Sequence, residues 1–315
     1  MKRWLLAGIL IAAGCTDAGP GVPDQIPPIC IPLPTGRVIL YGDSRPAVRG
    51  ENFFMGRSDP VRERPLIIQR LAAEKPDLII HSGDHVARGG SEEHWHLWES
   101  THRPILDAGI PFQSVLGNHE YAGGASEGLA HFSKRFPGLR GCRWYAIKAG
   151  PLFFAMLDTN FDELPKTFVD AQDRWYAKTL KEADADPDVK AVIVVSHHPP
   201  YTNSQVHGPS EEARRRFADP ARSCSKFRMY LAGHVHNYER FLIQGTPFVV
   251  SGGGGAPQTA VHVSRVRTGA EYHGPEIRPF HYLLLTIGAA GATIDTMMLQ
   301  DDDSWKSGDR FEIKW

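Results

Sequence analysis

Leu231-Ala232-Gly233-His234-Val235-His236-Asn237-Tyr238-Glu239-Arg240 follows an apolar run, Phe227-Arg228-Met229-Tyr230, that reads as a short buried strand ending at Gly233. Side chains of an extended chain alternate between faces, so His234 and His236 point to the same side. Their imidazoles can enter one site, or reach two ions held close together. That spacing alone is weak evidence. Its weight comes from Gly42-Asp43, Gly83-Asp84, Gly117-Asn118-His119-Glu120 and Val194-Val195-Ser196-His197, which also sit where apolar runs end. Each places an oxygen or nitrogen ligand where a strand gives way to a loop, and in that order they read as a metal site.

Strands are expected at Val38-Ile39-Leu40-Tyr41, Leu78-Ile79-Ile80, Phe112 to Leu116, Leu152 to Leu157 and Val189 to Val195. Helices are expected from Pro65 through Leu71, around Trp95 and Trp98, from Gln172 to Ala183 and from Glu211 to Ala218. After residue 240 the pattern is β alone: Phe241 to Ile243, Phe248 to Val250, Tyr282 to Ile287 and Thr293 to Leu299. Alternating strands and helices followed by a run of strands indicate an α/β sandwich with mixed sheets. Ligands at the carboxyl ends of several strands are where open α/β sheets place their sites. No internal repeat and no second domain is visible.

The chain has 315 residues, 42% hydrophobic and 23% charged, with a net charge of −1. That is globular in type and gives no reason to expect a nucleic-acid partner. Fifteen histidines suit a metal site.

Residues 1–15 read as an export signal. Lys2-Arg3 begin it, Trp4 to Ala13 form a short apolar core, and Ala12-Ala13-Gly14-Cys15 closes it. The ending resembles a bacterial lipobox, which makes Cys15 the lipidation site and attaches the chain to a membrane. Ala12 stands where such motifs usually carry leucine, so plain secretion stays open. Residues 16–36, with prolines at 20, 23, 27, 28, 32 and 34, read as an extended tether or, in their second half, a surface-hugging arm. Residues 37–315 are the folded domain. Apart from Cys15, Cys30, Cys142 and Cys224 remain: one disulfide with Cys142–Cys224 as the pair, or three reduced thiols.

The ordered set Gly-Asp, Gly-Asp, Gly-Asn-His-Glu, Val-x-x-His and Gly-His-Val-His resembles the calcineurin-like metallophosphoesterase superfamily. Gly233-His234-Val235-His236-x-Tyr238-Glu239-Arg240 is most similar to its purple-acid-phosphatase branch. The resemblance runs from about Val38 to Arg240. It implies an αββα sandwich of two mixed sheets flanked by helices, and two divalent ions about 3.5–4 Å apart that activate a hydroxide for attack on a phosphate ester. By similarity Asp84 bridges the ions, Asp43 and His236 hold the first, and Asn118, His197 and His234 hold the second. His197 is the ligand in preference to His198, since it lies two residues before Pro199. His119 is implied as the acid that assists the leaving oxygen. All-N/O ligation suits Mn, Fe, Zn or Mg.

Two positions depart from the pattern. Arg45 stands where the first motif carries histidine, and Ala87 where the purple branch carries tyrosine. The first ion is left with Asp43, Asp84 and His236 plus water, so weaker binding and no purple colour are expected. Arg45 cannot ligate a cation; it either forks onto a phosphate oxygen or forms a structural ion pair. His198 and His207 are candidate substrate contacts or packing residues. Gly252-Gly253-Gly254-Gly255 reads as a tight turn at a sheet edge in preference to a phosphate loop, since no Lys-Ser/Thr follows. His94, His96 and His102 are assigned to the surface or rim of the Trp-rich helix, and Asp301-Asp302-Asp303 to a solvated turn.

No Gly-x-Ser-x-Gly elbow competes for catalysis. The expected activity is hydrolysis of a small phosphate ester. A phosphodiesterase acting on cyclic nucleotides or phospholipid head groups, and a non-catalytic surface-binding protein with a decayed first metal site, are the alternatives.

Overall fold

Apolar residues run unbroken along the central strands, which demands that both faces be covered. The computed structural model describes residues 26–48, 51, 58–139, 142–204, 206–258 and 280–315. Cys15 and residues 1–25 lie outside them. The order is β1 (Ile29–Ile31), β2 (Arg37–Tyr41), α1 (Glu63–Ala73), β3 (Leu78–His81), α2 (Glu92–Thr101), α3 (Arg103–Asp107), β4 (Phe112–Ser114), α4 (Asn118–Tyr121), α5 (Ala125–Arg135), β5 (Tyr145–Ala149), β6 (Leu152–Met156), α6 (Lys166–Ala185) and β7 (Ala191–Val195). Then come α7 (Glu211–Ala213), a π-helical segment (Arg214–Ala218), α8 (Asp219–Ala221), β8 (Phe227–Ala232), β9 (Tyr238–Ile243), β10 (Thr246–Ser251), β11 (His281–Ile287), β12 (Gly291–Leu299) and β13 (Trp305–Lys314).

These strands make a seven-stranded sheet, β1-β5-β6-β7-β8-β10-β9, and a six-stranded sheet, β13-β12-β11-β2-β3-β4. Both are mixed: β2, β3 and β4 run parallel, whereas β11 pairs antiparallel with β2 and β12. Val38 and Leu40 of β2 share one buried cluster with Ile193 and Val195 of β7, so it lies between the sheets. The intervening Ile39 and Tyr41 pack under Ile67, Ile68 and Leu71 of α1. Val192 and Val194 pack under Trp175, Tyr176 and Leu180 of α6. Two-residue periodicity thus generates the αββα layering that the sequence predicts.

Several expectations change. Ile29–Ile31, within the stretch read as tether, pairs in parallel with Ile147–Ala149 of β5, and Ile31 is buried. β5, β13 and α5 are additional elements. Cys224 is a free, buried thiol, so the expected Cys142–Cys224 disulfide is not formed. Burial pushes the Cys224 thiol up to about 11, which keeps it protonated and inert. His102 is a core residue: it is 1% exposed, stacks on Trp98, and bonds the Trp98 carbonyl at 2.9 Å and Tyr41 Oη at 3.0 Å. His96 is exposed, as are residues 301–303.

Candidate metal centre

Strands from both sheets end at one edge of the sandwich. β2 runs into Gly42-Asp43, β3 into Gly83-Asp84, β4 towards Gly117-Asn118, β7 into His197 and β8 into Gly233-His234. The chain must leave each strand sharply, and three candidate ligands take the sharp turn themselves. Asp43, Asp84 and His234 have φ of 59°, 62° and 69°. Left-handed backbone at a non-glycine residue costs about 1–3 kcal/mol and persists only where the surroundings hold it. Here the His234 N–H donates to both Asp43 oxygens at 3.0 Å, the Asp43 N–H to the Gly83 carbonyl at 3.0 Å, and the Ser44 N–H to the Asp84 carbonyl at 3.0 Å.

The neighbouring glycines serve close approach. A Cβ on Gly117 would lie 2.2 Å from Asp84 Oδ1, and one on Gly233 2.5 Å from Asp43 Oδ2. The Gly252-Gly253-Gly254-Gly255 run is also a buried packing device, not an edge turn. Its Gly254 N–H donates to the Gly42 carbonyl at 2.8 Å, and the Ala256 N–H to the Asp43 carbonyl at 2.8 Å.

The ligand atoms of Asp43, Asp84 and His236 lie within 4.8 Å of one another, and all three residues are buried. His236 Nδ1 donates to the Pro257 carbonyl, so its Nε2 presents a lone pair, 3.5 Å from Asp43 Oδ1. His197, His198 and His234 form a second group within the same span. Asn118 joins it: its Oδ1 is 3.0 Å from His197 Nε2 and 3.1 Å from His234 Nδ1. Asp84 links the groups, with Oδ1 3.4 Å from His197 Nε2.

The donor set fits a divalent cation. His197 Nδ1 donates to the Ser82 carbonyl at 2.8 Å, which leaves Nε2 as an acceptor. That lone pair faces another acceptor, Asn118 Oδ1, at 3.0 Å. A cation between them, or the N–H of His234 Nδ1 at 3.1 Å from each, reconciles the two lone pairs. Burial pushes His236 and His198 down to about 3 and His234 well below its ordinary value. All three are neutral at pH 7, the form that ligates metal. Burial and the Asp84 charge push the Asp43 carboxyl up, whereas at Asp84 burial is outweighed by His197, His119 and Arg45, which hold it down.

His119 Nδ1 donates to the Ala87 carbonyl at 2.8 Å, its N–H donates to Asp84 Oδ1 at 3.0 Å, and its Nε2 lies 3.8 Å from Asp84 Oδ2. A backbone carbonyl, not a carboxylate, thus orients this imidazole towards the centre. The Arg45 guanidinium forks onto Glu51 at 3.0 and 3.2 Å, an ion pair beside the first group. His198 Nδ1 bonds Thr159 Oγ1 at 2.9 Å while its ring lies 4.5 Å from that of His234. The His207 ring lies 4.6 Å from His234, so both reach the second group.

The supporting roles of two groups of residues were not legible beforehand. Buried Glu120 accepts the N–H groups of Asp84, His85 and Gly117. Asp309 on β13 accepts from Tyr238 Oη at 2.7 Å and pairs with Arg240, while Glu239 accepts the Asn203 N–H at 3.0 Å. The Tyr-Glu-Arg that follows the His-x-His is therefore an anchor for its loop.

Residues 58–238 match the family model described as calcineurin-like phosphoesterase. The chain belongs to this family. The matched segment holds every candidate ligand except Asp43, and its members use two divalent ions, which the two groups of ligand atoms can receive. Among curated relatives, purple acid phosphatase 23 of Arabidopsis thaliana is 28% identical over 46% of this chain and 32% of its own length. A nucleotide pyrophosphatase/phosphodiesterase of Hordeum vulgare is 25% identical over 70% of this chain and 68% of its own. The chain spans about a third of the length of the acid phosphatases it matches, including acid phosphatase type 7 of Danio rerio at 34%.

Solved structures share the fold. Purple acid phosphatase PPD1 from yellow lupin (Lupinus luteus) seeds superposes with a TM-score of 0.68 at 22% identity, over 88% of this chain and 53% of that one. GAP50, the anchor in the inner membrane complex of Plasmodium, gives 0.63 at 14% identity, covering 88% of each chain. A dimetal phosphatase from Danio rerio gives 0.59 at 14%, over 89% of this chain and 99% of that one.

Proposed function

We propose that the protein is an exported, two-metal phosphoesterase that hydrolyses small phosphate esters. Asp43, Asp84 and His236 hold the first ion, and Asn118, His197, His234 and the shared Asp84 hold the second. The observation that carries this reading is the convergence of His197 Nε2, His234 Nδ1 and Asn118 Oδ1, 3.0–3.1 Å from one another beside the Asp84 carboxylate, a cluster of metal-ligand atoms at the ends of strands from both sheets. When bound, the ions supply charge to offset that of the phosphate and lower the pKa of a water. The chain's own residues orient the ester: His119, fixed by its Nδ1–H to the Ala87 carbonyl, turns Nε2 to the centre, and in its doubly protonated form the Nε2–H can pass a proton to the leaving oxygen. His198 and His207 line the second position and contact the substrate. Mn, Fe, Zn and Mg all suit the ligands.

The substrate reading rests on the relatives. Two of them are acid phosphatases and one is a nucleotide pyrophosphatase/phosphodiesterase, so both mono- and diesters of small molecules are to be tried. The export signal at residues 1–15 and the lipobox-like Cys15 add a location: a lipid-anchored protein of the bacterial surface, or a periplasmic or secreted one if Cys15 is not modified.

Hydrolysis of a chromogenic phosphomonoester and its diester after reconstitution with Mn²⁺ tests the activity, with Asp84→Asn as the blank. Turnover lost in that variant supports the reading, and the preferred ester names the class. Absence of turnover with both esters across several metals favours a second reading, a surface anchor on this fold. Arg45 within reach of the first cluster speaks for it, as does the likeness to GAP50, an anchor by description. Fatty-acid labelling of wild type against Cys15→Ala tests the lipid attachment; equal labelling would reject it.

A further inference from the structure

Arg45 is only 4% exposed, and every edge of its guanidinium has a definite neighbour. Nη1 donates to Glu51 Oε2 at 3.0 Å and to the Pro46 carbonyl at 3.0 Å, and Nη2 donates to Glu51 Oε1 at 3.2 Å. The Val48 N–H donates to Glu51 Oε2 at 2.9 Å, and Arg64 Nη2 to the Arg45 carbonyl at 3.3 Å, so both partners are braced. The remaining edge is different. Arg45 Nε is buried without a hydrogen-bond partner and lies 3.7 Å from Asp84 Oδ2. A fixed positive charge is therefore aimed at the carboxylate shared by the two groups of candidate ligands.

A guanidinium has five donors and no lone pair for an ion. At the place where the resembled motif carries a ligand, this chain has a cation that competes for Asp84 Oδ2 and repels a second cation. The pair with Glu51 is neutral in sum, which limits the repulsion. The two positions are then unequal. One offers Asn118, His197, His234 and Asp84 with the other oxygen of the carboxylate, Oδ1, 3.4 Å from His197 Nε2. The other offers Asp43, Asp84 and His236 beside Arg45.

We infer that the Arg45–Glu51 pair makes metal loading sequential: the second position fills first and tightly, the first position holds an exchangeable ion, and Glu51 sets how weakly. The inference rests on the two-metal reading above. Charge is the operative property, so the variants separate by sign. Arg45→His removes the cation and restores a lone pair, which tightens the first position. Glu51→Gln leaves Arg45 uncompensated and weakens it further. Arg45→Lys keeps the charge and leaves the ranking of the two positions unchanged.

The test is calorimetric titration of the metal-stripped full chain with Mn²⁺, together with the number of ions retained after desalting. Wild type is expected to show two steps whose affinities differ by roughly 10- to 100-fold or more, the scale on which residues around a metal act, and to retain one ion. Arg45→His should narrow the gap and retain two; Glu51→Gln should widen it. Two ions of equal affinity in wild type, or the same gap in Arg45→His and Arg45→Lys, would overturn the inference while leaving the phosphoesterase intact. No ion bound by wild type would instead overturn the two-metal reading, and this inference with it. Thermal melts of the stripped proteins check folding. Should Arg45→His fail to fold, Glu51→Gln decides: a gap unchanged from wild type overturns the inference.

Discussion

Glu120 Oε2 accepts the N–H of Asp84 at 2.9 Å and that of Gly117 at 2.7 Å, so one buried oxygen ties the loop after β3 to the loop after β4. Oε1 takes the His85 N–H at 2.8 Å. The carboxylate is 0% exposed and holds Asp84 and Asn118 in register through the backbone. Glu120→Gln replaces one of these acceptors with an amide NH2 facing N–H donors. Leaving buried donors unpaired costs about 1–3 kcal/mol each. Urea unfolding of the metal-free protein should show a loss of about 3 kcal/mol, and a loss below 1 kcal/mol would reject the bracing role.

Metal removal should destabilise the chain. An ion that binds the folded state alone adds about 2.7 kcal/mol at a free concentration a hundred times its dissociation constant. Chelation is expected to lower the melting temperature of wild type and to leave that of His197→Ala much closer to its starting value. Equal shifts in the two proteins would show that ions stabilise from elsewhere.

Gly117→Ala tests the close packing at the centre. Its Cβ would meet Asp84 Oδ1 at 2.2 Å and the Asp84 backbone nitrogen at 2.5 Å, and the backbone atom cannot swing aside. The variant should lose metal-induced stabilisation and melt lower even when stripped. Gly208→Ala, where a Cβ meets nothing within 4 Å, serves as the control and should behave as wild type.

Acid sensitivity should appear between α2 and α5. Glu92 pairs with Lys134 at 2.8 Å, His131 at 2.7 Å and Arg135 at 3.1 Å, and hydrogen bonds from Arg135 and Lys134 hold its carboxyl at about 2. A lowered carboxyl contributes stability above its unfolded value of about 4.3 and loses it as pH falls towards the folded one. Glu92→Gln should therefore flatten the stability profile from about pH 5 down to pH 2. The side chain is 35% exposed, so the effect is small and should shrink further in high salt. An unchanged profile would dismiss the network.

The sequence exposes the ligands because each follows an apolar run, where strand periodicity places it at a carboxyl end. Asp43, Asp84, Asn118, His197, His234 and His236 do converge. What holds them is less legible. Glu51 follows Arg45 by six residues in a polar stretch with no periodicity, so its two-pronged contact has no local signal. Residues 305–314 interleave charges and Gly308 with few apolar side chains, because β13 is an edge strand with one wet face; Asp309 is hidden there. His102 lies one residue beyond α2, where the helical pattern no longer says which side is buried. The short strand Ile29–Ile31 is masked by its prolines, which an edge strand tolerates. Glu120 was visible as part of a motif, but its work is done through backbone N–H groups, which no side-chain pattern reports.

Each group of candidate ligands draws on both layers of the sandwich: Asp43, Asp84 and Asn118 hang from the six-stranded sheet, and His197, His234 and His236 follow strands of the seven-stranded one. An ion at either position is then a rivet through two plates that are otherwise joined there by apolar contact and a few hydrogen bonds. Stripped of its rivets, the edge of the molecule where the plates meet should part more readily and be cut faster by a protease. The supply of divalent metal would thus set how long the protein lasts, besides setting whether it can hydrolyse an ester.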